Sequence, residues 1–248
     1  AVFRVGGTLL GVEICEDMWT PLPPSTFLAL NGAEVILNLS ASNETIGKRA
    51  YRRGLVQHQS AALNCVYAYC SAGSTESTQD LIFSGQSLIG EDGRLLAETE
   101  EPIASDYMLV CDCDLGRIRA ERMKNKGFKD AAQQNPGHPA VLVDTNAPEL
   151  RGDGTRYPLA KLPFVPTGKE NRVQRCMEIF HMQVAGLKQR LAILGSAKAV
   201  VGISGGLDST LALLVSVEAM RQLGRPASDV CGVTMPCFGT SDRTYNNS

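Results

Sequence analysis

The chain has 248 residues, 44% of them hydrophobic and 20% charged, with a formal charge of −2. That balance excludes a disordered polymer and bounds the fold to one or two globular domains. No basic block or basic helix face stands out, which excludes nucleic acid and anionic membrane surfaces as partners and leaves small molecules or proteins.

The eight cysteines, at 15, 65, 70, 111, 113, 176, 231 and 237, are dispersed, and several lie in apolar strand-like runs such as "CVYAYC". With no signal peptide and no apolar run of membrane length, this usage points to a reducing cytoplasm rather than to a disulfide framework. The first residue already lies in a strand-like run and no initiator Met precedes it, so the chain reads as part of a longer protein.

In chain order, "TLLGVEIC" (8–15) predicts a buried strand, "PPSTFLALNGA" a short helix ended by Gly32, and "AEVILNLS" (33–40) a second strand. A helical run over 47–64 leads to the strand "CVYAYCSA" (65–72). The texture then changes to strands separated by turns: "LIFSGQSLIG", the Asp-Gly hairpin signal in "EDGR", "RLLAETE" and "YMLVCDCDL". Helix-covered parallel strands continued by antiparallel ones predict a layered α/β sandwich over residues 1–145. Residues 146–168 are rich in Pro and Gly and predict a linker.

A second domain, 169–248, opens with a helix for which Thr167 and Glu170 form a capping box. Its apolar positions 173, 177, 180, 184, 187, 191 and 194 make one stripe ending at Gly195. Strand "AVVGI" (199–203), a glycine turn, helix 208–223 closed by Gly224 and strand "VCGVTM" (230–235) make a βαβ unit. Ligands of such sheets sit at the C-terminal ends of the strands, where this glycine turn lies.

The turn is "SGGLDS", Ser204 to Ser209. A helix N-terminus exposes unpaired N–H groups and the positive end of its dipole, so Ser204, Gly205 and Gly206 feeding into it suit an anion held by the backbone, with no lysine. Ser204 and Ser209 add hydroxyl donors. Asp208 would repel a bare phosphate, so it predicts a bridging divalent cation, Mg2+, for which it is the candidate ligand. A lone Gly-Gly at a strand end is ordinary turn chemistry; six specified positions between strand and helix are not. The segment resembles the loop of ATP pyrophosphatases, which cleave ATP between its α and β phosphates, adenylate a carbonyl oxygen and admit a nitrogen or sulfur nucleophile.

In the first domain, "GVEICEDMW" (11–19) runs a strand into Cys15, where a sharp turn can expose the thiol. Alone, Cys15 reads by default as a small buried hydrophobe, since no base is visible beside the thiol. The stretch resembles the nucleophile segment of nitrilase-superfamily amidases, and "LNLSASNETIGKR", "ESTQDLIFSGQSLIGEDGRLLAE" and "CDCDLGRIRAER" are similar to later segments of that fold, an αββα sandwich. The resemblance implies a thioester at Cys15 and an oxyanion donor in the Glu16 backbone N–H. It also implies contacts of Ser42 and Lys48 with the α-amino and α-carboxylate groups of glutamine; the plain reading of those two is a solvated loop.

The family's general-base glutamate and oxyanion lysine belong to segments that precede the cysteine, so they would lie before Ala1. Glu13 and Lys48 do not inherit those roles, and the chain alone is expected to be nearly inert towards amides.

An amidase of nitrilase type, a Pro-rich linker and a pyrophosphatase loop together resemble the glutamine-dependent NAD synthetase family, and "YPLAKLPFVP" (157–166) and "MPCFGTSDRTYNNS" (235–248) match it as well. The resemblance covers essentially the whole chain. It implies ATP and Mg2+ as cofactors, glutamine and deamido-NAD as substrates, and a doubly wound parallel sheet of which the second domain is the start. It also implies a homo-oligomer or association with the rest of the same polypeptide.

Cys237 departs from the pattern, standing in "MPCFGT" where the family carries glycine; it is strained if that position needs positive φ. The alternatives are another glutamine-fed ATP pyrophosphatase, such as a GMP or asparagine synthetase, against which "VEICEDMW" argues, and a non-catalytic truncated product. "SGGLDS" excludes a freestanding amidase.

Overall fold

The computed structural model describes residues 1–77, 79–100, 103–104, 107–135, 140–149, 152–166 and 168–235. Thr167 and Cys237, on which the capping box and the strained cysteine were expected, lie outside them. The chain divides into two compact units, Ala1–Leu159 and Ala160–Ser248.

The first unit is built on β1 (Val2–Val5), β2 (Thr8–Ile14), α1 (Pro24–Leu30), β3 (Val35–Ser40), α2 (Lys48–Ala62), β4 (Val66–Ser71), β5 (Ser87–Glu91), β6 (Arg94–Glu98), α3 (Leu115–Lys124), α4 (Lys126–Gln134) and β7 (Leu142–Asp144). The strands form one sheet in the order β6-β5-β4-β3-β2-β1-β7. As expected, β2, β3 and β4 run parallel, and β5 and β6 continue antiparallel. The "EDGR" turn joins β5 to β6 with Asp92 at φ 47° and Gly93 at φ 82°, the two positive values that a hairpin turn matching the strand twist requires.

The register sets the chemistry of the sheet. Gly11, Ile36 and Tyr67 lie in one row and Glu13, Asn38 and Tyr69 in the next, and side chains of both rows face the helices because the pleat alternates. The first row joins the apolar core with Leu28, Ala29 and Val56. The next is polar yet buried, with Glu13 and Asn38 each 1% exposed. Thus the helix-covered face turns from apolar to polar towards the C-terminal ends of the parallel strands. On the opposite face Ile14, Leu39 and Cys70, also in register, are exposed.

Residues 107–114, expected as a strand, join no ladder. Alternation makes a chain extended, but only a partner edge makes it a strand. Here Asp114 leaves the sheet, donating its N–H to Glu91 Oε2 at 2.7 Å and accepting from Arg117 N–H at 2.9 Å as the cap of α3. The short strand β7, which the sequence reading lacked, pairs parallel with β1.

In the second unit, α5 (Lys169–Leu194) precedes β8 (Ala199–Ile203), α6 (Leu207–Gln222) and β9 (Val230–Thr234). The strands pair parallel, the expected βαβ unit. Val184 and Leu191 of α5 pack with Val215, Ala219 and Met220 of α6. The predicted stripe is buried at Val184 and Leu191 but not at its two ends: Val173, Met177 and Leu194 remain 57%, 47% and 65% exposed. Gly168 caps the helix, without a side-chain capping bond. No helix among the described residues is long and apolar enough to cross a membrane.

Candidate functional site

At the C-terminal end of β2 the chain breaks into a tight 3-10 turn, Cys15–Trp19. Cys15 itself has φ 51°, a left-handed value that costs a residue with a Cβ about 1–2 kcal/mol. Strain of this kind persists only where surroundings hold it. Two side chains do so: the Asp17 carboxylate accepts from the Ile14 N–H at 2.8 Å, and the Asn38 amide donates to the Cys15 carbonyl at 3.3 Å.

The turn opens into a pocket lined by Cys15, Glu16, Trp19, Ala41, Ser42, Asn43 and Lys48. The four residues singled out in the sequence of the first domain, Cys15, Glu16, Ser42 and Lys48, therefore share one cavity. Ser42 is 9% exposed, so it is a wall of the pocket and not part of a solvated loop. Lys48 Nζ donates to the Asn43 carbonyl at 2.7 Å and to Asn43 Oδ1 at 3.1 Å, and lies 5.5 Å from the centroid of the Trp19 ring. Trp19 in turn stacks on Tyr51 at 5.3 Å. Burial lowers the Lys48 pKa, and the Arg52 charge lowers it further, against opposing contributions from Glu44 and Cys15.

Several residues the sequence reading passed over hold this pocket in shape. Arg52, wholly buried, donates to Glu44 Oε2 at 2.6 Å, to Gln86 Oε1 at 3.2 Å, and to the carbonyls of Ser42 and Asn43 at 3.1 Å each. A legible signal existed: Arg52 falls four residues before the buried Val56 on the inward stripe of α2, where an unpaired guanidinium is not tolerated. Glu13 accepts from the Ser25 N–H at 2.8 Å and from the Tyr67 hydroxyl. Both its oxygens are engaged, as suits a structural carboxylate.

In the second unit, "SGGLDS" joins β8 to α6 as expected. Gly205 has φ 73° and Gly206 is the N-cap residue. The Ser204 N–H donates to Ser209 Oγ at 3.2 Å, the two hydroxyls lie 3.2 Å apart, and Ser209 and Thr210 hydroxyls donate to the Gly206 carbonyl at 3.1 and 3.0 Å. These bonds close the turn over the first N–H groups of α6, which have no intrahelical acceptors. Asp208 lines a groove between the two helices with Gln183, Leu187 and Leu211. Among the described residues no group of three or more His, Cys, Asp or Glu side chains could hold a metal, so a cation at Asp208 would depend on a nucleotide's phosphate oxygens.

Comparison with known families gives one match in each unit. Residues 1–123 match the carbon-nitrogen hydrolase family and residues 179–248 the NAD synthase family. A glutamine-dependent NAD(+) synthetase of Mycobacterium leprae is 43% identical over 98% of this chain and 36% of its own length. One of Thermotoga maritima is 28% identical over 100% of this chain and 40% of its own. The chain thus spans well under half the length of these relatives. A solved glutamine-dependent NAD+ synthetase of Acinetobacter baumannii covers 99% of the chain at 22% identity with a TM-score of 0.41, a superposition too low to add to the assignment. A carbon-nitrogen hydrolase match is thus followed by an NAD synthase match, and over nearly its whole length the chain is similar to part of the glutamine-dependent NAD(+) synthetases.

Proposed function

We propose that the protein amidates deamido-NAD to NAD, drawing nitrogen from glutamine at the Cys15 pocket and energy from ATP at the Ser204–Ser209 turn. The observation that carries this reading is the co-occurrence, in one chain, of a strained thiol sharing a pocket with Ser42 and Lys48 and a pyrophosphate-type turn at a helix N-terminus.

In the first half-reaction the Cys15 sulfur attacks the glutamine side-chain carbonyl carbon. The C–S bond forms, the carbonyl pair moves to oxygen, and its collapse breaks the C–N bond, the nitrogen leaving as ammonia with the thiol proton; water then hydrolyses the thioester to glutamate and returns the thiol. The Glu16 N–H stabilises the oxyanion. Lys48 faces the α-carboxylate as a point charge and Ser42 faces the α-amino group. Neither Glu13, engaged on both oxygens, nor Lys48, turned to Asn43 and Trp19, takes the part of general base or oxyanion lysine.

In the second half-reaction the nicotinate carboxylate attacks the α-phosphorus of ATP, pyrophosphate leaves, and ammonia displaces AMP from the acyl adenylate. The backbone N–H groups of the turn, with Ser204 and Ser209, hold the phosphates. Asp208 is the residue that would hold a magnesium ion, which would supply neutralisation of phosphate charge when bound. Gly205→Ala is expected to raise the KM for ATP several-fold, since φ 73° disfavours a Cβ by about 1 kcal/mol; nucleotide titration of the variant checks this.

The test is a coupled assay on the native polypeptide, following deamido-NAD to NAD with ATP and either glutamine or ammonium as nitrogen source. Turnover with both supports the reading, and turnover with neither overturns it. The lowered Lys48 pKa adds a pH signature. Because the ammonium is lost as pH rises through that value, the KM for glutamine is expected to climb at a lower pH in the native protein than in Lys48→Arg, whose guanidinium stays charged. A pH series of KM for the two proteins checks it.

A further inference from the structure

We infer that Asn38 is a positioning residue for the glutaminase step: its side-chain amide orients the Cys15–Glu16 peptide so that the Glu16 N–H faces the substrate. The inference rests on the proposed glutamine hydrolysis at Cys15 and goes beyond it in naming what sets up the oxyanion donor.

Asn38 is 1% exposed and sits on β3 in register with Glu13 of β2. Its Nδ2 donates to the Cys15 carbonyl at 3.3 Å and to the Tyr67 hydroxyl oxygen at 3.3 Å, while its Oδ1 accepts from Ser40 Oγ at 2.7 Å. The orientation of the amide follows from chemistry, since a backbone carbonyl only accepts and the atom facing it must be the nitrogen. Tyr67, tied to Glu13, and Glu13, tied to the Ser25 N–H, complete a buried chain of hydrogen bonds behind the turn.

A trans peptide is planar, with its C=O and N–H pointing in opposite directions. No cis bond occurs here, so a Cys15 carbonyl drawn inward to Asn38 sends the Glu16 N–H outward. Glu16 lines the pocket with Cys15, and outward from Asn38 is where the reacting carbonyl of a Cys15-bound amide must lie. Rotation of this peptide about its flanking bonds would turn the donor away. Asn38 opposes that rotation by the bond it would break. Asp17, accepting from the Ile14 N–H, holds the Glu13–Ile14 peptide and not this one.

The experiment compares the native polypeptide with Asn38→Ala and Asn38→Asp. The aspartate keeps the shape and the acceptor for Ser40 but sets an oxygen against the Cys15 carbonyl. Three quantities are read: kcat and KM for glutamine, the inhibition constant of the γ-aldehyde analogue of glutamine, and the rate of Cys15 alkylation by iodoacetamide. The aldehyde adds Cys15 sulfur to its carbonyl carbon, the π pair moves to oxygen and the thiol proton ends there, so the adduct uses the oxyanion donor. Alkylation displaces iodide at a saturated carbon and does not.

Loss of one oxyanion donor is worth about 10²-fold in kcat. The inference therefore expects kcat down by about 30- to 100-fold in both variants, KM within about 3-fold, aldehyde affinity falling in step with kcat, and alkylation within about 3-fold. Ammonia-driven synthesis, unchanged, reports an intact second unit, and the alkylation rate reports the first. An Asn38→Asp enzyme within 3-fold of native kcat overturns the inference, as does alkylation falling in parallel with kcat, which would mark a collapsed pocket. A native protein that hydrolyses no glutamine overturns the underlying reading instead.

Discussion

Cys15→Ala is expected to lower glutamine-driven NAD formation by at least about 10³-fold while leaving ammonia-driven formation within about twofold. The split follows from the chemistry. Without sulfur there is no thioester and no release of ammonia from glutamine, whereas the turn from Ser204 to Ser209 belongs to the other compact unit and uses no atom of Cys15. Rates with glutamine and with ammonium, measured on the same preparation, check it; equal losses with both would show that the thiol serves the fold and not the reaction. Stability offers a second readout. At φ 51° a Cβ is strained, so Cys15→Gly is expected to be about 1 kcal/mol more stable than Cys15→Ala. Urea midpoints compare the two, and equal midpoints would show that Cys15 carries no backbone strain.

Arg52→Met is expected to cost about 3 kcal/mol of folding stability, at the lower end for breaking a buried ion pair from one side. The guanidinium is wholly buried, and its removal strands Glu44 and the carbonyls of Ser42 and Asn43. The lower end applies because the Glu44 side chain keeps 17% exposure and finds some water. The same change should loosen the Ser42–Asn43 wall and raise the KM for glutamine.

The pair also has a pH signature. Burial pushes the Glu44 carboxyl up, but hydrogen bonds from Ser84 and Arg52 and the Arg52 charge outweigh it, and the net pKa is lowered. A lowered folded-state value means stability fully present above the ordinary carboxyl value of about 4.3 and lost as pH falls through the folded one. Arg52→Met should flatten that acid limb. Urea melts of both proteins between about pH 3 and pH 7 check the magnitude and the slope.

How far these features can be read without coordinates depends on the distance over which they are decided. The strand into Cys15 and the turn from Ser204 to Ser209 are local: apolar β-formers, then residues whose positions on a strand end or helix start follow from the chain itself. The Asp92–Gly93 hairpin is local too, because its two positive φ values are a property of those residue types. Residues 107–114 show the limit. Their alternation is that of a strand, yet a strand needs a neighbour, and the sequence does not say whether an edge awaits it.

Asn38, Glu13 and Arg52 lie past that limit. Asn38 reaches Cys15 across 23 positions and Tyr67 reaches Glu13 across 54. Each partner comes from a different strand or loop, and a polar side chain at an inward position reads from sequence only as a mismatch until its partner is known.

The two family resemblances, the order of units, the strand running into Cys15 and the turn from Ser204 to Ser209 were thus determined by the sequence itself, because motif and secondary structure are written in neighbouring residues. The shared pocket of Cys15, Ser42 and Lys48, the inward pull of Asn38 on the Cys15 carbonyl and the anchoring of the pocket wall by Arg52 were decided only by the tertiary structure. The physical reason is register: three parallel strands align Glu13, Asn38 and Tyr69 in one buried row, and no linear pattern specifies which side chains of separate strands will meet.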